Sequence, residues 1–527
     1  MDLPKDEKTV VETAVVDSDS LRRADDALLA ELGYKAEFKR EFSMIETIAF
    51  AFSIMGVVAS VSSTLSFGLV SGGHVGMVFG WLIPSLFVST VALSMAEMTS
   101  AMPTSAGLYY FAAKLAPPRY AAISSWITGW ANVTGQVTLV CSIDFTCAQM
   151  ITTAVSVASD GATNLSAGAT FGILLAILFS HGIVCSAATS ILARLNIFYV
   201  IVNVGTTIAA IIALLVVSDD KVSTRDAFTK FENNTGWANS ECLLDYSLSE
   251  DIENYCRWLG FLLIFYCCDV DPRVAGFQKT GYDSAAHISE EVAGAAKAAP
   301  LAILIGVGAT TSLGWILLIA VSFVIPSISN ILDSELPLPM GQVFLDVLGK
   351  KGMLAIWSLI IVVQYVTGAA QGVDASRVVF AFSRRVSCRT DNALPGSRWW
   401  KKMNAYTQTP VNAVWLVMVM AGIAGVLGFS EAALTSLAGA SVIGLYSSYT
   451  VPIFLSIIGG RERIVPGPFD LGRWSKPIGA IAVAWVCFII VMLLFPSGQT
   501  TTADDMSEFH ELYLFSAESQ SSDDDFD

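Results

Sequence analysis

Charge is scarce in this chain. Only 14% of its 527 residues are Asp, Glu, Lys or Arg, against 54% apolar, whereas soluble domains carry roughly 25% charged residues. Lipid is the solvent that suits such a composition. Histidine is scarcer still, with four residues at 74, 181, 287 and 510. They lie too far apart along the chain for the clustered His, Asp and Cys of a membrane-embedded enzyme, and no cofactor or metal is expected. The nine cysteines form no Cys-x-x-Cys. Cys141, Cys147, Cys185 and Cys487 sit in apolar runs and read as small buried apolar side chains. Cys242 and Cys256 lie in a polar loop and could pair on an oxidising side. The absence of Gly-x4-Gly-Lys-Ser/Thr argues against an ATP-driven pump, and nothing in the sequence suggests a nucleic-acid partner. The polar start of the chain is no signal peptide.

What the chain has in quantity is apolar runs. A helix crossing a bilayer needs about 20 mostly apolar residues. Reading such runs places spans at about 44–67, 76–98, 121–158, 169–189 and 195–217. A sixth, irregular span starts near Trp258, and others follow at 299–325, 353–382, 410–429, 433–458 and 477–495. The third is too long for one perpendicular helix, so its end is expected to be a loop or the helix to be tilted. Eleven spans are readable, with nothing after Pro496 long and apolar enough to cross. The chain thus divides into a polar segment 1–40, a membrane domain 41–496 and an acidic tail 497–527.

The net charge of −16 sits in the ends and one loop. Ser522-Asp523-Asp524-Asp525 closes the tail as a solvated charge run. Short loops are basic on one face only: Lys114 and Arg119, Arg194, Arg384 through Lys402, and Arg461 through Lys476. The opposite loops near 68–75, 159–168 and 428–432 have no Lys or Arg, so the positive-inside rule puts the N-terminus in the cytosol. The exceptions are the long acidic loop 218–257 and the loop with Lys350 and Lys351. The sequons at Asn164 and Asn233 then face the non-cytosolic side.

Irregular backbone at membrane depth is tolerated only beside protein or a water-filled cavity, and transporters use such breaks to bind substrate. Span 1 reads Phe52-Ser-Ile-Met-Gly-Val-Val-Ala-Ser-Val-Ser-Ser-Thr64, with small hydroxyl residues around Gly56 at mid-depth. An unwound segment and close helix packing both fit that composition. The stretch Ala96-Glu97 through Gly107-Leu108-Tyr109-Tyr110 resembles the segment after the second span in the amino acid–polyamine–organocation superfamily. The Ser53-Ile-Met-Gly56 segment, Gly281-Tyr-Asp-Ser-Ala-Ala-His-Ile-Ser-Glu-Glu291 and Thr409-Pro-Val-Asn-Ala-Val-Trp415 resemble its fungal amino-acid/choline transporter branch, which includes GABA permeases. The likeness runs from about Ala27 to Asp505.

This resemblance implies an all-α integral membrane protein of two inverted five-helix repeats with one or two further spans. It implies that an amino-acid carboxylate meets free backbone N–H groups near Ser53, Ile54, Met55, Gly56 and Val57, and that the amine meets groups near Thr280, Gly281, Tyr282 and Asp283. Both poles of a zwitterion need partners in low dielectric. Asp283 reads either as a substrate or proton site or as a cap of the broken helix through backbone N–H bonds. Glu290, Glu291 and Glu97 suit a solvated helix end or a gate ion pair to the Arg-rich loop. His287 suits a structural, gate-side or relay role. Gln136, Gln364 and Tyr365 could line a cavity or bond between helices. Some bacterial relatives carry a proton-sensing lysine in the fifth span; the matching position here is Asn203, which does not titrate.

Four stretches depart from that pattern. Only Trp258 to Cys268 is apolar before Asp269-Val-Asp-Pro-Arg273. Eleven residues cover about 16 Å of a roughly 30 Å core. Glu241 to Arg257 looks extended, Arg385 to Thr390 interrupts a motif, and Ser507 onward replaces a twelfth span. Unusual functional elements and in-frame sequence insertions both fit.

The expected function is import of an amino acid such as GABA, or a related amine, by proton-coupled alternating access. The plasma membrane is the expected site, with the vacuolar membrane as alternative. Besides the small-molecule substrate, the partners are protons and the lipid bilayer. The rival is a non-transporting receptor-like or inactive isoform on the same scaffold. Charged residues at a helix centre cost about 2.5–3.5 kcal/mol each on insertion scales. A variant lacking about Tyr266 to Gln278 is therefore expected to transport faster than the full chain, checked by uptake normalised to surface expression. Equal expression with lost uptake would instead make the stretch a functional element.

Overall fold

The computed structural model describes residues 18–32, 38, 40–187, 189–232, 234, 280–334, 336–384 and 393–494. Most of span 6, with Cys242, Cys256 and Asp269 to Arg273, lies outside them. So do Asn233, the Arg385 to Thr390 interruption and the tail with any twelfth span.

The described residues are helical nearly throughout. In chain order the helices are α1 Ser18–Glu31, α2 Met44–Met55, α3 Val57–Ala101, α4 Gly107–Leu115, α5 Ala121–Ala158, α6 Ala167–Cys185, α7 Thr189–Val217 and α8 Thr224–Thr229. After the gap come α9 Ser284–His287, α10 Ala295–Val324, α11 Ile328–Leu332, α12 Pro339–Ser383, α13 Ser397–Trp400, α14 Val411–Ala424, α15 Glu431–Ile457 and α16 Ser475–Leu493. Among the described residues, nine stretches are long and apolar enough to cross a bilayer. The first of these, Met44–Ala101, is a hairpin of two passes, because the backbone leaves helical geometry at Gly73 (φ 61°, ψ −130°). A side chain on Gly76 would lie 2.7 Å from the carbonyl oxygen of Gly68; along one straight helix these residues would be about 12 Å apart. All the expected spans except the sixth are therefore found among the described residues.

Two expectations need correction. The end of span 3 is not a loop: α5 runs unbroken for 38 residues, about 57 Å at 1.5 Å per residue. Its far end is covered by protein, since Trp357 Nε1 donates to the carbonyl of Met150 at 2.8 Å and Gly341 packs against Thr153. Span 8 carries an additional limb. α12 begins at Pro339, breaks at Gly349 (φ 67°, ψ 174°) and only then runs to Ser383. The first limb folds back, bringing Phe344 to 6.2 Å from the Trp357 ring. The turn also explains a basic exception in the charge pattern, because Lys350 is held 2.8 Å from Asp160.

The N-terminal segment is part of the fold. Ser43 and Glu46 form a reciprocal cap on α2. Phe42 exchanges backbone bonds with the chain after α9, its N–H donating to Glu291 O and its carbonyl accepting from Ala293 N, both at 3.0 Å. Leu29 and Phe38 are buried, and Tyr110 Oη donates to Leu32 O. α1 to α2 and residues 280–293 are thereby tied together.

α3 and α10 pack through a glycine. Trp81 Nε1 donates to Thr311 O at 2.9 Å, and its ring covers Gly314, where an added Cβ would stand 2.7 Å from Cε2. Gly314→Leu is therefore expected to destabilise the protein by about 1–3 kcal/mol, the usual cost of overpacking. A lower melting temperature of the detergent-solubilised protein would show it, and an unchanged one would refute this packing.

Candidate functional site

The site begins where α2 stops. A buried helix end must find partners for its last carbonyls, and two hydroxyls supply them: Thr367 Oγ1 donates to Ser53 O at 3.0 Å and Ser60 Oγ to Met55 O at 3.0 Å. Gly56 turns the chain in the left-handed region (φ 32°, ψ 68°), where a side chain is strained; an added Cβ would also overlap Thr367 Oγ1. α3 then restarts at Val57 with no side-chain cap. The N–H groups without an intrahelical partner at this break are thus those that start α3. Ser53, Ile54 and Met55 belong to α2 and present the carbonyl end instead.

The second break faces the first. Gly281 has φ 87°, and a side chain there would meet Ile54 Cγ2 at 2.5 Å and Gln371 Oε1 at 3.2 Å. Tyr282 and Asp283 are buried behind it. Asp283 is no helix cap: it makes no capping bond to α9. Its Oδ1 accepts from Tyr449 Oη at 2.8 Å, and its Oδ2 lies 3.0 Å from His287 Nε2. α9 is a single turn, and the carboxyl is drawn to those partners on α15 and at the end of that turn.

A cavity of about 620 Å³ reaches Ile54 and Thr280, beside these breaks. Ile54, Thr280 and Thr367 form its inner wall. Ser60, Ser63 and Thr64 of α3, Ser142, Thr146 and Gln149 of α5, and Gln364 of α12 line its sides, and Ile331 to Pro339 stand at its mouth. Of the residues named from the sequence, only Ile54, Thr280 and Gln364 reach it. Gln136 and Tyr365 bond between helices instead. Gln136 Nε2 donates to Asp374 Oδ2 at 2.8 Å, and Tyr365 Oη is 2.8 Å from Ser180 Oγ. Asn203 is buried beside Ser53 and Thr367 in a separate small crevice. The hydroxyl-rich composition of span 1 pointed to this wall; Thr367 carried no such signal, being one threonine in an apolar run.

The opposite end is sealed by charge. Arg377 Nε donates to Glu291 Oε1 at 2.8 Å and Arg384 Nη2 to Glu290 Oε1 at 2.6 Å, all four side chains buried. Neither glutamate is a solvated helix end. Glu290 also accepts from Thr104 Oγ1 and Ser105 N. Glu97 stands aside, held by Arg461 at 3.0 Å, by Ser475 and by Leu471 N, and ties α3 to α16. Arg40 crosses to Val292 O, and Gly294 N donates to Asp25. Burial holds the Asp25 carboxyl above its ordinary range, against the pull of the Gly294 N–H and Arg40. The docked state therefore favours the protonated acid, and this latch weakens as pH rises through that range.

A model of the family described as amino acid permease matches residues 42–514. The chain belongs to this family. An uncharacterised amino-acid permease of Schizosaccharomyces pombe is 36% identical over 486 residues, covering 92% of this chain and 84% of the relative. The amino-acid permease BAT1 of Arabidopsis thaliana is 32% identical, covering 94% and 91%. The GABA-specific permease of Saccharomyces cerevisiae is 33% identical, covering 90% and 79%. The protein is thus a membrane-embedded amino acid permease, a transporter rather than an enzyme.

In this permease Gly56→Leu is expected to cut uptake about tenfold or more while the protein still reaches the membrane. Backbone strain alone costs about 1–3 kcal/mol, and the side chain displaces Thr367 from Ser53. Uptake per surface-labelled molecule measures it; wild-type kinetics would refute this account of the break.

Proposed function

We propose that the permease imports an amino acid, with GABA a leading candidate, coupled to protons by alternating access. The observation that carries the reading is a cavity that reaches Ile54 and Thr280, beside the backbone turns at Gly56 and Gly281, with buried ion pairs elsewhere in the fold. A zwitterion at its floor would put its carboxylate against the N–H groups that start α3 and its amine against carbonyls around Thr280 and Gly281. The Arg-rich loops lie at the sealed end, so the positive-inside rule makes that end cytosolic and the open cavity outward-facing. Transport would then require the Glu290–Arg384 and Glu291–Arg377 pairs to part. The plasma membrane is the proposed location, with the vacuolar membrane as the alternative. GABA rests on the similarity to a relative of that name.

The second reading, an inactive isoform on the same scaffold, is favoured by the charged Asp269 to Arg273 stretch next to the second break. One experiment separates the two: uptake of labelled GABA, alanine, glutamate and arginine by a permease-deficient host carrying this chain. Saturable uptake of one of them, stimulated by external acid, is expected. Uptake no greater than the empty host, with the protein at the cell surface, would overturn the transporter reading.

A further inference from the structure

Between the substrate floor and the cytosolic seal lies a buried cluster whose charges do not balance. Among the described residues it holds four carboxylates, Asp283, Glu290, Glu291 and Asp374, and two guanidiniums, Arg377 and Arg384, all 6% exposed or less. His287 is buried among them. The neutral groups facing it are Tyr282, Tyr446 and Tyr449, with Asn132 and Gln136 of α5 and Gln371 of α12. Glu290 and Glu291 are matched by the two arginines. That leaves Asp283 and Asp374, both within electrostatic reach of His287. One imidazolium can offset only one of them, and an uncompensated buried charge is too costly to persist.

The hydrogen bonds single out which acid holds the second proton. Asp283 has Tyr449 and His287. Asp374 has only the amide of Gln136 on Oδ2, and its Oδ1 has no partner among the described residues although the side chain is fully buried. Gln136 in turn bonds Gln371, whose Oε1 lies against Gly281. A chain of side chains therefore runs from Asp374 to the second break.

We propose that Asp374, with His287 and Asp283 beside it, is the proton-binding site through which transport is coupled. Asp374 takes a proton on Oδ1 in the outward-facing state and gives it up to the cytosol when the two ion pairs part and water reaches the cluster. The proposal rests on the proton-coupled reading above and adds the residue that carries the proton.

The purified full chain in proteoliposomes tests it, with labelled GABA and alanine as probes. Wild type should show counterflow, which needs no net proton movement. With the inside one pH unit more alkaline, it should accumulate substrate up to about tenfold, as a one-proton symport allows. Asp374→Asn, a neutral mimic of the protonated acid, should keep counterflow while accumulation falls to a ratio of about one, and Asp374→Glu should restore part of it. No counterflow in wild type overturns the transporter reading, and this one with it. Wild-type counterflow without gradient-driven accumulation overturns the coupling, and tenfold accumulation by Asp374→Asn overturns the site alone. Should that variant fail to fold, infrared spectra of wild type decide. A carbonyl stretch of a protonated carboxyl at neutral pH, shifted by carbon-13 aspartate, is expected; its absence overturns the assignment.

Discussion

In hydrocarbon every backbone N–H and C=O must find a partner within the protein, and the structure around the site follows from that constraint. A helix interrupted at mid-depth exposes carbonyls on one side of the break and amides on the other. At Gly56 two of the last carbonyls of α2, those of Ser53 and Met55, are taken by Thr367 and Ser60. The amides that open α3 receive no side-chain cap, and they lie between Ile54 and Ser60, which line the cavity. The break is thus asymmetric: side-chain hydroxyls partner carbonyls on its negative end, and no side chain caps its positive end. The second break at Gly281 is pressed so closely on Ile54 that only hydrogen fits. Two glycines thereby bring the end of α2 and the chain entering α9 into contact.

Charge obeys the same constraint at the other end. The arginines and glutamates of the seal are fully or nearly fully buried, where a pair is tolerable and a lone ion is not. Such pairs add little net stability compared with apolar packing, but parting them requires water. A seal of this kind is either shut and dry or open and wet, which is the behaviour the proposed alternating access needs. Glu97 and Arg461, more exposed and tied to the loop before α16, show the contrasting case of an ion pair that joins elements without closing a path.

Much of this was legible in the sequence, for stated physical reasons. Apolar length placed every span that lies among the described residues, because a helix in lipid has nowhere else to put that surface. Gly56 and Gly281 stood out as breakers among small hydroxyls and beside Tyr282-Asp283. Side-chain partnership was not legible. Asp283 could be assigned to a cap from its position, yet Tyr449, 166 residues away, takes its oxygen. Glu291 was readable as a helix end only until Arg377 of α12 was placed beside it. The limb Pro339 to Leu348 was missed because it is short and amphiphilic rather than a full apolar run. Thr367 was missed because its role depends on the exposed carbonyl of a helix more than 300 residues earlier.

The least expected element is the N-terminal segment, and it bears on how the molecule can move. Phe42 forms a parallel bridge with Val292, and Arg40 and Asp25 bond the same short stretch. The chain entering α2 is therefore fastened to the chain leaving α9, on the sealed side of both breaks. The two left-handed glycines, Gly56 and Gly281, lie on the cavity side of that fastening. An opening of the seal that left α2 in place would have to tear the bridge and expose its N–H and C=O groups. Swinging α2 and residues 280–293 together about the two glycines keeps those bonds and breaks only side-chain pairs to α12 and the ties of the segment to its surroundings. The backbone bonds thus favour a moving unit composed of α2, residues 280–293 and the N-terminal segment, turning against the helices that carry Arg377, Asp374 and Gln136.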